Sequence, residues 1–190
     1  MFRSRTIKTL TALVASMTIG TFLLAGLRQE PIRPLAALQA TDPPPAKAVF
    51  DKDVDFQEGR WRNIIVDAST ASPDRLGQYY HFIISQDDEG QIQVTAGKLW
   101  RKQLAGRHTY VAGRDWNRDS VGVCLVGNFN RTAPPAEQYD SLVELVHTLQ
   151  KEFAISGDQV YLKKSLDSRR SAPGRGFPEA DFAGKLRKID

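Results

Sequence analysis

The 190-residue chain carries 26 Lys and Arg against 22 Asp and Glu, a formal net charge of +4, and 41% of it is hydrophobic. That hydrophobic share excludes an intrinsically disordered chain of low hydropathy, and the single cysteine, Cys124, excludes an internal disulfide framework. The length allows one ordinary domain of roughly 100 to 150 residues with chain to spare.

The spare length lies at the N-terminus. Arg3, Arg5 and Lys8 precede residues 9–27, 19 residues without a charge. At ~1.5 Å rise per residue such a helix nearly crosses a ~30 Å hydrocarbon layer. The segment 1–27 therefore reads as a signal peptide or a membrane anchor. The spacing of small residues in LLAGL fits a cleavage site poorly, which favours the anchor, and Leu27 stands where a lipoprotein box would need Cys. Basic residues ahead of the span favour an extracytoplasmic location in the cell envelope for the remainder of the chain. Residues 28–49 contain Pro31, Pro34, Pro43, Pro44 and Pro45 and suit an extended spacer.

Beyond residue 50 the elements come in order. WRNIIV (61–66) is a short β-branched apolar run and predicts a buried strand. The stretch from Ser69 to Gln78 has Pro73 and Gly77 and no space for a long helix. YYHFIIS (79–85) predicts a second strand, in which His81 points away from the face of Tyr80 and serves structure. The turn DDEG leads to an alternating strand at 91–96, and the two make a hairpin. VGVCLV (121–126) is uninterrupted and apolar, the pattern of a central strand with Cys124 buried in it. Leu142, Leu145, Val146, Leu149 and Phe153 recur at helical spacing and predict an amphipathic helix over 134–153, with His147 partly exposed on it. Residues 159–162 predict an edge strand, APGRGFP (172–178) an irregular segment, and 181–188 a last short helix. From Tyr161 to Asp190 eight basic residues face four acidic ones. Such a face meets anionic wall, lipid or nucleic acid, or simply water, and export makes nucleic acid the poorest partner.

Composition supports an α/β domain with a mixed sheet; the order of motifs goes further. WRNIIV with Ser69, YYHFIIS, DDEG, GKLW, GRHT, NRDSVGVCLVGNFN, the Pro-led helix with Gln138 and finally APGRGFP together resemble the type 2 N-acetylmuramoyl-L-alanine amidases, a family that includes phage endolysins and animal peptidoglycan recognition proteins. The resemblance spans residues 60–186 and makes 50–190 the amidase-like domain. It implies a mixed central β-sheet flanked by helices, peptidoglycan or muropeptide as ligand, and a zinc ion held by two His and one Cys. Zinc would polarise the amide carbonyl and supply hydroxide at neutral pH.

Carried over by position, the implied ligands become Asp67, Lys164 and Ala172, so zinc is not expected as a cofactor. Opposite charges at two converging positions predict an Asp67–Lys164 salt bridge where the metal would sit. Tyr80 and Arg170 keep the chemical types of residues that assist the reaction, and His108 and Asn117 are further candidate binding residues. The expectation is a peptidoglycan-binding, catalytically inactive domain tethered to the membrane. Two alternatives stand beside it: an active amidase with a site rearranged around Asp67, His108 and Asp167, and a structural envelope protein with a filled cleft.

Overall fold

The computed structural model describes residues 60–188; the predicted hydrophobic segment at 1–27 and the spacer at 28–49 lie outside them. Five strands form one sheet: β1 (Asn63–Ser69), β2 (Phe82–Gln86), β3 (Ile92–Ala96), β4 (Ser120–Val126) and β5 (Val160–Leu162). Their order is β3-β2-β4-β1-β5. β3 runs antiparallel to β2, and β2, β4, β1 and β5 are mutually parallel. The sheet is thus mixed, the hairpin forms as predicted, β4 is central and β5 is an edge.

Among the described residues the sheet is accompanied by five α-helices: α1 (Pro73–Leu76), α2 (Lys98–Arg101), α3 (Ala136–Phe153), α4 (Lys163–Leu166) and α5 (Glu179–Lys185). The stretch predicted to lack a long helix holds only the four residues of α1. β2 begins later than predicted, so Tyr80 and His81 precede it. β1 runs on to Ser69, and Asp67 is therefore a strand residue.

Alternation along the strands sorts side chains between two faces. Ile64, Val66, Phe82, Ile84, Val121, Val123 and Leu125 join Leu142, Leu145, Val146 and Leu149 of α3 in the main core. Burial of this stripe, at ~25 cal/mol per Å² of apolar surface, holds α3 on the sheet. Gln138 contributes polar fixation: its amide donates to the carbonyls of Ile84 (2.9 Å) and Val126 (3.1 Å). Across the sheet, Leu76, Tyr80, Ile83 and Cys124 form a smaller cluster. The residues in register with that second face, Asp67 opposite Cys124, reach the cleft.

His81 ties the start of β2 to β4 and to the loop at Leu104. Its Nδ1 accepts the Gly122 backbone N–H (2.9 Å), which leaves the proton on Nε2 to donate to the Leu104 carbonyl (2.9 Å). Burial lowers its pKa to about 4, so the ring is neutral at pH 7. The structural role expected of it is the one it has.

Candidate functional site

A cavity of about 1020 Å³ opens on the second face of the sheet, lined in part by Asp67, Tyr80, His108, Lys163, Arg170 and Ala172. At its floor Asp67 is 6% exposed. Its Oδ1 accepts the Ala68 N–H (2.8 Å), while Oδ2 accepts the Tyr80 hydroxyl (2.6 Å) and the Lys163 ammonium (3.1 Å). Lys163 also donates to the His108 carbonyl. Burial first, and then the Asp67 charge, push the Tyr80 phenol far above its ordinary pKa. Burial does the same to the Cys124 thiol beneath. Both groups keep their protons at neutral pH.

The predicted Asp67–Lys164 pair does not form. Lys164 bonds Glu179 of α5, and Lys163 takes the carboxylate instead. The reason is register: β1 and β5 pair in parallel as Ile64 with Val160, Ile65 with Tyr161 and Val66 with Leu162. The next residues in line are Asp67 and Lys163, which share a face, and Lys164 turns away with the first turn of α4. The resemblance, carried over by position, put the partner one residue further on, at Lys164. Counting forward along the paired strands finds it.

His108 lines the cleft but is buried, with its ring stacked on Tyr80 at 5.7 Å and its pKa held well below the ordinary value, chiefly by burial. A Cβ on Gly122 would stand 2.3 Å from its Cδ2, and one on Gly106 would stand 2.4 Å away, so both glycines are required to seat the ring. Asn117 does not line this cleft. Its Oδ1 accepts the N–H groups of His108 and Thr109 (both 2.9 Å) and its Nδ2 donates to the Thr109 carbonyl, clamping the loop that presents His108. Arg170 stands exposed on the rim beside Arg169, and both approach Asp167, at 3.9 and 2.9 Å. Arg169 holds the Asp167 carboxyl below its usual range. Arg75, Arg107, Tyr79 and Tyr110, which also line the cavity, were not singled out by sequence. Isolated charged and aromatic loop residues carry no pattern that marks them.

With this geometry established, comparison with known proteins decides the family. A profile of the N-acetylmuramoyl-L-alanine amidases matches residues 45–175. The chain belongs to that family. Similar solved structures include the endolysin N-acetylmuramoyl-L-alanine amidase LysCS from Clostridium intestinale URNW, with 19% identity, TM-score 0.54, and 70% of this chain and 91% of that one covered. Another is the N-acetylmuramyl-L-alanine amidase AmiD from E. coli, in complex with the substrate anhydro-N-acetylmuramic acid-L-Ala-D-gamma-Glu-L-Lys. It shares 15% identity, with TM-score 0.56, and coverage is 70% of this chain and 60% of that one. A third is AMPDH3 from Pseudomonas aeruginosa in complex with anhydromuramic pentapeptide, at 14% identity, TM-score 0.56, and coverage of 72% and 65%. At these identities the likeness shows the amidase fold. No curated protein sequence matches the chain.

A zinc ion of the kind the family resemblance implies needs three converging lone-pair donors. Here the Asp67 carboxylate is committed to three hydrogen-bond donors. An ammonium offers hydrogens and no lone pair, and Ala172 ends in a methyl group. Among the described residues, no three His, Cys, Asp or Glu side chains are grouped to hold a metal. The residues present do not fit the ion.

Proposed function

We propose that this chain is an extracytoplasmic, peptidoglycan-binding amidase-like domain that does not hydrolyse its ligand. The observation that carries the reading is the cleft floor. The cavity is open, and at its floor the Asp67 carboxylate is taken up by the Lys163 ammonium, which leaves it poorly placed to ligate a metal. Hydrolysis of an amide requires a polarised carbonyl and an activated water. Tyr80 keeps its proton, and His108 is packed between glycines. Peptidoglycan as ligand follows from the family and from the muropeptides bound by AmiD and AMPDH3. Anchoring through residues 1–27 belongs to the same proposal.

A site rearranged around Asp67, His108 and Asp167 has less support, because Asp67 is engaged by Lys163 and Asp167 by Arg169. A filled cleft has less still, since among the described residues the cavity is open. The test is to incubate the full chain with muropeptides and zinc, measuring bound metal and free stem peptide. Muropeptide binding with neither stoichiometric zinc nor released peptide is expected; zinc uptake together with release would overturn the proposal.

A further inference from the structure

The ammonium of Lys163 has three N–H bonds. One meets Asp67 Oδ2 and one the His108 carbonyl, and the third has no acceptor among the described residues. The side chain is 10% exposed and lines the cleft, so an acceptor for this remaining donor would have to come from a ligand or water in the cavity. An unfilled donor on a desolvated charge favours a strong acceptor, and a carboxylate oxygen is a stronger one than an amide oxygen.

The rim adds to the same preference. Arg75, Arg107, Arg169 and Arg170 bring four guanidinium groups to the lining. With Lys163 they make five cations, against the two carboxylates of Asp67 and Asp167, a formal excess of three positive charges. Asp167 is already held by its neighbouring arginines. A cleft with a net excess of one sign of charge concentrates ligands of the other.

We infer that the cleft is a carboxylate receptor, with Lys163 at its floor and the arginines at its rim. This rests on reading the cleft as a wall-binding site, and it names the chemical form of the ligand. The bond from which the family takes its name joins a muramoyl carbonyl to L-alanine. While that bond is intact the carbonyl is neutral. After hydrolysis a muramoyl carboxylate remains, and the floor of this cleft suits the anion. Glycan already stripped of stem peptide by a hydrolytic amidase is therefore the favoured source of the carboxylate. The other source is a carboxylate of an intact stem peptide.

The test is calorimetric binding to the full chain of three probes: a disaccharide ending in N-acetylmuramic acid, its carboxamide, and an intact muropeptide. The free acid is expected to bind at least about tenfold more tightly than the carboxamide, with the gap narrowed by Lys163→Gln. Arg107→Gln, on the exposed rim, serves as a second variant should the buried change disturb folding. Tight binding of the muropeptide with no detectable binding of acid or carboxamide, if weakened by both Lys163→Gln and Arg107→Gln, would support the carboxylate site and assign it to the stem peptide; if unaffected by them it would overturn the receptor. Equal affinity for acid and carboxamide would overturn the receptor while leaving wall binding intact. Absence of binding by all three would overturn both.

Discussion

Lys163 and Asp67 bring opposite charges to 3.1 Å with side chains only 10% and 9% exposed. At such depth, removing one partner leaves the other charge desolvated, at a cost of about 3 to 5 kcal/mol. Lys163→Met should therefore lower the unfolding free energy by about that much in urea titrations. Adding Asp67→Asn, which removes the second charge and keeps an acceptor for the Tyr80 hydroxyl, should restore more than half of the loss. If Lys163→Met alone is as stable as the parent, the pair is not desolvated in solution and water reaches the floor of the cleft. Tyr80 and Arg170 were legible from sequence because they sit in or near recognisable motifs. The partner of Asp67 was not, since it depends on pairing between residues 96 apart in the chain.

Between elements, two buried polar side chains carry the connections. His81 joins the start of β2 to β4 and to the loop at Leu104 by using both ring nitrogens, one as acceptor and one as donor. Its folded pKa of about 4 lies below the ~6.5 of an unfolded histidine. The unfolded chain therefore takes up a proton first as pH falls. The stability from a neutral His81 is present above about pH 6.5 and is lost as pH drops towards 4, by up to ~1.4 kcal/mol per pH unit. His108, also lowered by burial, adds a contribution of the same sign. Urea unfolding at pH 7, 5.5 and 4.5 should show this decline, and His81→Asn should flatten part of it; an unchanged slope in the variant would move the effect elsewhere. Gln138 fastens α3 to the middle of β2 and the end of β4. Gln138→Leu strands the Ile84 and Val126 carbonyls and should cost about 1 to 3 kcal/mol, read as a lower urea midpoint with an unchanged denaturant slope. The strands and α3 could be read from sequence because each has an uninterrupted or periodic apolar run. Their boundaries slipped by one to three residues, since Tyr80, His81 and Asp67 have strand-like neighbours and only hydrogen bonding decides where pairing starts.

Across the whole molecule, family and fold were readable from the order of motifs, because those motifs encode the strands and turns that build the sheet. The chemistry of the cleft was readable only in outline. That Ala172 carries no donor atom needs just the sequence, whereas an ammonium lodged between Asp67 and the His108 carbonyl needs the folded register. On the proposed reading the Lys163 ammonium supplies the positive charge at the cleft floor, and wall binding should not depend on zinc. Co-sedimentation of the full chain with purified sacculi tests this most directly, run once with added zinc and once with a strong chelator, with free stem peptide assayed in the supernatant. The same fraction of protein should pellet in both, with no peptide released; binding that vanishes with the chelator, or zinc-dependent release of stem peptide, would overturn the proposed function.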